Sequence, residues 1–231
     1  MTIRQIDWQS VQLVVFDVDG TLYCQRRLRL RMAFELSAHA LRSRDLRTIR
    51  VLSRYRALRE EVAEREVVDF APALIAETAA ACRVPTSDVA AIVAEWIEQR
   101  PLRHLAGCRY PGVAELFAAL RRAGKAIGVL SDYPAVAKLQ ALGLAADHVV
   151  CAEDRDVGVL KPNPAGLLTL VRTAGWTTAT TMLIGDRPDR DGLAARRAGV
   201  RVLIRSSRQL TDWPTFRRFD EPLFAPILAN R

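Results

Sequence analysis

The sequence predicts an α/β fold: a Rossmann-like parallel core sheet of five strands flanked by helices, with an all-helical cap domain inserted after the first strand. Three observations carry this. Five short apolar runs alternate with helical segments, the pattern of a parallel sheet with right-handed crossovers. Between the first run and the second, Leu28 to Gln99 contains no glycine, which marks a helical segment. Several apolar runs also end in a carboxylate or hydroxyl, at the strand ends where open α/β sheets place ligands.

Val11 to Phe16 suits a strand covered on both faces. Asp17 and Asp19 follow it two residues apart, on the same side while the chain stays extended, with Val18 facing the packing and Gly20 permitting a sharp turn. Helices then take over from about Leu28. Leu46, Ile49, Leu52, Tyr55, Leu58 and Val62 define one apolar stripe, with Arg47, Arg50 and Arg54 on another face. A third helix is predicted from Asp69 to Cys82, with Pro72 in its first turn. A fourth starts at Thr86 or Ser87, whose hydroxyl can cap it, and passes Ile92 and Trp96 before Pro101. The expected division is a core domain of residues 1–23 and 104–231 and a helical cap of residues 24–103.

A helix from Ala114 to Arg122, ended by Gly124, leads to a second strand, Ala126 to Asp132, which carries Ser131. A helix around Ala135 to Leu142 precedes a third strand, His148 to Cys151. Leu160-Lys161-Pro162-Asn163-Pro164 opens a helix through Leu167 and Val171. Thr181 to Asp186 forms the fourth strand, the run to Asp191 enters a helix over Leu193 to Ala198, and Val200 to Ile204 forms the fifth. Trp213, Phe216, Phe219 and Phe224 are expected to pack back on the core, with a short helix from Glu221.

At 231 residues, half of them hydrophobic, the chain can bury a substantial interior. The polar Met1 to Ser10 segment and the short apolar run after it predict neither signal peptide nor membrane-spanning helix, hence a cytoplasmic protein. Four scattered cysteines without a Cys-x-x-Cys pair argue against a zinc ribbon or disulfide framework; Cys24 is expected to pack as a small hydrophobe. The formal net charge is +8, and of 34 basic residues only Lys125, Lys138 and Lys161 are lysine. A positive balance favours anionic substrates. Charge alone is not a nucleic-acid motif, so nucleic acid is not expected as a partner. His39, His104 and His148 show no metal-ligand spacing and are assigned to packing or surface.

Four polar signatures therefore gather at strand ends: Asp17 with Asp19, Ser131, Lys161, and Asp186 with Asp191. In this order they resemble the signatures of the haloacid dehalogenase superfamily, a large group of mostly magnesium-dependent phosphatases. The resemblance spans Val14 to Ile204, and the helical block matches the cap placed between the first two signatures in one subclass. It implies a phosphatase acting on a small phosphorylated metabolite. Asp17 would be the nucleophile of a two-step transfer through an aspartyl phosphate. Asp19 would protonate the leaving alcohol and then activate water. Lys161 and Ser131 would bind the phosphoryl group. Crowded carboxylates with oxygen-only ligation imply Mg²⁺, on Asp17, Asp186, the Asp19 backbone carbonyl and Asp191. Asp191 ligates directly, acts through water or orients Lys161, alternatives the sequence leaves open; Asp189 is a weaker rival. Asp132 departs from the Asn that many relatives carry after the serine.

Asp19, Asp186 and Asp191 together speak against metal-free halide chemistry. The absence of any lysine before Lys125 removes the Schiff-base phosphonate hydrolases. Two readings stay open beside the phosphatase: a phosphosugar mutase of the β-phosphoglucomutase type, and a catalytically silent binding protein of the same fold. No membrane partner is expected. Arg27, Arg54 and Tyr55 are candidates for contact with the leaving group, and hinges are expected near Tyr23–Cys24 and in Gly107–Pro111.

Overall fold

Six parallel strands make one sheet in the computed structural model, which describes residues 6–229; the first five residues of the Met1–Ser10 segment lie outside the described residues. The strands are β1 (Leu13–Phe16), β2 (Ala126–Ser131), β3 (His148–Cys151), β4 (Thr181–Gly185), β5 (Arg201–Arg205) and β6 (Thr215–Phe216), in the order β3-β2-β1-β4-β5-β6. Five were expected. The sixth is two residues long, too short for any alternation to announce it, and it extends the edge by pairing Thr215 with Ile204 and Phe216 with Arg205.

From β1 the chain builds outward through β2 and β3, then returns to the other side of β1 as β4. The crevice between β1 and β4 is therefore the topological switch point, where such sheets bind ligands. Phe16 lies level with Val129 of β2 and Ile184 of β4, so these strands deliver their following residues to one place.

Alternation within β1 divides the core. Val14 and Phe16 pack on one face with α6 (Val113–Arg122), α7 (Val136–Leu142) and α10 (Ala225–Leu228), while Leu13 and Val15 face α8 (Ala165–Thr173) and α9 (Leu193–Ala198). Gly128 in β2 gives α8 its close approach, since a Cβ there would lie 2.7 Å from a Leu170 methyl. Phe216, Phe219 and Phe224 are buried as expected, with ring centroids of Phe216 and each partner 5.1 Å apart. Trp213 is only half-buried, beneath the Arg196 guanidinium at 4.1 Å.

Between β1 and β2 lie α1 (Gln25–Ser43), α2 (Arg47–Glu64), α3 (Phe70–Cys82), α4 (Thr86–Val93), which runs on into a wider turn over Ala94–Gln99, and the one-turn α5 (Leu102–Leu105). Of the α2 stripe, Leu52, Tyr55, Leu58 and Val62 are buried and Ile49 half-buried, but Leu46 precedes the helix and is 67% exposed. Neither Thr86 nor Ser87 caps α4; Pro85 occupies the cap position and no side-chain cap bond forms. The two connections into this block run side by side: Cys24 N donates to Cys108 O (2.8 Å) and Tyr110 N to Leu22 O (3.1 Å).

Candidate active site

Burial and charge meet at the end of β1. Asp17 is 6% exposed, Asp191 1% and Lys161 4%. Lys161 Nζ donates to Asp17 Oδ1 at 2.6 Å and to Asp191 Oδ1 at 2.7 Å. Thr21 Oγ1 donates to Asp17 Oδ2 at 2.9 Å and stands 3.5 Å from Asp186 Oδ1. Asp191 Oδ2 accepts from the backbone N–H groups of Asp186 (3.1 Å) and Arg187 (2.9 Å), which pins the loop that follows β4. Gly20, at φ +98°, makes the turn possible and leaves room for Asp186, whose Oδ2 would lie 2.2 Å from a Cβ there.

Asp17, Asp186 and Asp191 each bring an oxygen within 4.8 Å of the others. Two buried carboxylates and the half-buried Asp186 thus face one ammonium. Burial drives the Asp17 carboxyl well above its ordinary range, with the Asp191 and Asp186 charges adding to it against the pull of Lys161. Burial and the Asp191 charge lift Asp186 to about 7. For Lys161 burial works against the charge, and the flanking carboxylates outweigh it and hold the ammonium well above its usual range. The donor set is all oxygen and carries surplus negative charge, which fits a hard divalent cation.

The other predicted residues are placed differently. The Asp19 carboxylate turns to Lys138 Nζ of α7, at 2.6 and 2.8 Å, and accepts from the Tyr23 hydroxyl. Burial would raise this carboxyl, but Lys138 and Tyr23 outweigh it and hold it below the usual range. Ser131 is buried at the end of β2, and its Oγ accepts from Tyr133 N at 3.2 Å. Asp132 Oδ1 accepts from Lys161 N at 3.1 Å, so the unexpected acid helps hold the lysine loop. Asp189 lies outside the cluster, paired with Arg187 at 2.7 Å. His39 packs against Trp96, and His104 Nε2 lies 2.6 Å from Glu35.

A cavity of about 920 Å³ opens over Asp17, Asp19, Lys161, Asp186 and Asp191. Its helical wall is largely apolar, with Met32, Leu36, Leu52, Trp96 and Leu105 beside Arg29 and Arg56. Arg27, Arg54 and Tyr55 do not line it; Arg54 faces Glu61 at 3.6 Å and Tyr55 is buried against Arg59. Arg47, Arg50 and Arg54 are exposed, the solvated face expected.

Sequence reasoning missed Lys138 and Arg59. Arg59, 5% exposed on α2, donates to Glu153 (3.2 Å), to Tyr55 (3.1 Å) and to the Asp132 carbonyl, with its guanidinium 4.0 Å from the Tyr133 ring centroid. Glu60, its neighbour, takes Arg187 (3.0 Å) and Arg190 (2.8 Å). Both contacts fasten α2 to the loops beyond β2, β3 and β4. Lysine scarcity was the available signal: two of three lysines are buried on site acids.

The parallel sheet thus gathers a buried aspartate at its switch point, with a lysine and two further carboxylates around it. Residues 11–199 match the haloacid dehalogenase-like hydrolase family, and the chain belongs to it. It is 30% identical over 203 residues to a phosphoglycolate phosphatase of Rhodospirillum rubrum, covering 84% of this chain and 78% of that one. Among solved structures it is similar to the HAD-hydrolase YfnB of Bacillus subtilis, bound to magnesium (TM-score 0.66, 16% identity, 95% and 99% of the two chains). CbbY of Rhodobacter sphaeroides, in complex with phosphate, is also similar (0.59, 20%, 91% and 96%). At these identities the two structures show the shared fold.

Proposed function

We propose that this hydrolase is a Mg²⁺-dependent phosphatase that cleaves a small phosphomonoester through an aspartyl phosphate on Asp17. The observation that carries the reading is Lys161 bridging Asp17 and Asp191, with Asp186 alongside, at the β1–β4 switch point. Nucleophilic attack by an Asp17 oxygen on phosphorus expels the alcohol, and water then cleaves the acyl phosphate. Lys161 neutralises charge on the nucleophile and the phosphoryl oxygens, and the Ser131 hydroxyl, which accepts from Tyr133 N, keeps its proton to donate to one of them.

Asp19 serves both steps. Held by Lys138 and Tyr23 it is in its base form, suited to activating water, and it takes up a proton before it can protonate the leaving alcohol. The carboxylates of Asp17, Asp186 and Asp191 with the Asp19 carbonyl would hold Mg²⁺, whose positive charge stabilises the transferring phosphoryl group. Residues 24–103 serve as the cap, with Tyr23–Cys24 and Gly107–Pro111 as its hinges. The phosphoglycolate phosphatase relative makes phosphoglycolate the first substrate to try, and the apolar wall with Arg29 and Arg56 fits a small organic leaving group. Four free cysteines fit a reducing cytoplasm.

The test is phosphate release from a panel of phosphomonoesters, with and without Mg²⁺, in wild type and Asp17→Asn. Metal-dependent release that the substitution abolishes supports the reading. Isomerised sugar phosphate in place of free phosphate would replace it with a mutase.

A further inference from the structure

We propose that the outer face of α1 docks on an anionic lipid surface, with the helix lying in the plane of the interface. Leu30, Phe34 and Leu41 are 65%, 78% and 81% exposed. Their spacings of four and seven place them in one line along the helix. The opposite side of α1 is already used, with Leu28 and Met32 buried against the protein.

Arginines border that line on both sides. At 3.6 residues per turn, Arg26 falls on one flank and Arg27, Arg31 and Arg42 on the other, all within roughly 120° of Leu30, while Arg29 turns further round to the cavity wall. Arg26, Arg27 and Arg29 make no ion pair among the described residues. Arg31 and Arg42 reach only backbone carbonyls, those of His104 (3.5 Å) and Ala38 (3.1 Å). Glu35 is the one acid on α1 and points inward, engaged by Arg103, His104 and Arg100. The exposed face therefore pairs an apolar line with uncompensated positive charge.

Charge selects the occupant. A second copy packed through the same face would set arginine flanks against arginine flanks with no carboxylate between them. Nucleic acid would satisfy the arginines and leave Leu30 and Leu41 in water. A bilayer with anionic headgroups takes both: the apolar side chains enter the acyl boundary while the arginine heads meet phosphates. No helix of the described residues is long and apolar enough to cross a membrane, so this is surface attachment, a departure from the expectation that no membrane is involved. Arg29, Met32 and Ala33 of the same helix line the cavity over Asp17, so docking sets that cavity at the interface.

The experiment is co-sedimentation of the full chain with vesicles of phosphatidylcholine alone and of phosphatidylcholine with phosphatidylglycerol. It is run on Asp17→Asn as well as wild type, so that the result does not depend on turnover. Both are expected to bind the anionic vesicles and not the neutral ones. Leu30→Asp/Phe34→Asp/Leu41→Asp should weaken binding at least ~10-fold, and Arg26→Glu/Arg27→Glu should do so in low salt. All these side chains are exposed, so circular dichroism and the thermal midpoint should be unchanged, which separates lost docking from lost folding. No sedimentation with anionic vesicles, or undiminished binding by the triple variant, overturns the proposal. So does a wild-type dimer in light scattering that the triple variant dissolves while vesicles stay unbound, which would make a second copy the occupant.

Discussion

Replacing Lys161 with methionine removes the ammonium that Asp17 and Asp191 share at 2.6 and 2.7 Å, and leaves those two buried carboxylates and the half-buried Asp186 without it. Breaking a buried pair costs about 3–5 kcal/mol. For a chain of this size, at roughly 2–4 °C per kcal/mol, the thermal midpoint should fall by ~6–20 °C. The loss depends on pH, with a definite sign. A carboxyl whose folded pKa lies above its unfolded value, about 3.9 for aspartate, takes up protons on folding, so stability declines as pH rises through that window. Burial already places Asp17 and Asp186 in this class, and loss of Lys161 moves Asp17 further that way. The gap between Lys161→Met and wild type should therefore be large near about pH 8 and shrink toward about pH 5, below the value of about 7 to which Asp186 is lifted. Urea unfolding in a chelator at the two pH values measures it. A variant as stable as wild type at both values, or one with the same deficit at both, would refute the electrostatic account of the cluster.

Gly185→Ala would place a Cβ 2.4 Å from Asp191 Cγ; moving Asp191 should cost about 1–3 kcal/mol in urea unfolding and lower phosphate release ~100-fold or more as Lys161 loses its orientation. Because Asp186 is lifted to about 7, Mg²⁺ competes with a proton there. Calorimetric affinity should rise by up to ~10-fold per pH unit below neutrality and level off above it; a flat profile would remove Asp186 from the ligand set. The hydrogen bond from Arg187, with Arg190, holds the Glu60 carboxyl below its usual range. The stability from this α2 contact is present above the unfolded pKa and is lost as pH falls through the folded one. The stability of Glu60→Gln should sit slightly below wild type at neutral pH, by less than ~1 kcal/mol, and its thermal midpoint should converge with that of wild type in acid.

The reach of sequence reasoning follows from how each feature is encoded. The placing of Asp17 and Asp186 was legible because an apolar β-branched run that stops at an acid has little reason to exist except to deliver it, whereas Lys161 and Asp191, which lie off the strands, were expected only from the order of the four signatures. The sheet strands from β1 to β5 were legible as short apolar runs, β1 and β4 being buried along their whole length. β6 was not, since two residues on an edge carry no period. Arg59 was hidden by its position one residue after Leu58: the buried face of α2 includes it, and an arginine there reads as the edge of an apolar stripe. Only the tertiary approach of Glu153, Asp132 and Tyr133 explains its burial. Lys138 sits in an amphipathic-looking α7, and its partner Asp19 lies 119 residues away in the chain. The orientation of Asp19 toward Lys138, rather than toward Asp17, is likewise a property of packing that spacing cannot encode.

The central claim is that Asp17 becomes covalently phosphorylated. The direct measurement is to quench the enzyme in acid during turnover of its best phosphomonoester, reduce it with borohydride, and map the peptide spanning Val14 to Tyr23 by mass spectrometry. Reduction converts an aspartyl phosphate to homoserine, so the account predicts homoserine at position 17, dependent on substrate and absent from Asp17→Asn. Steady release of phosphate with aspartate unchanged at position 17, or homoserine at position 19 instead, would contradict it.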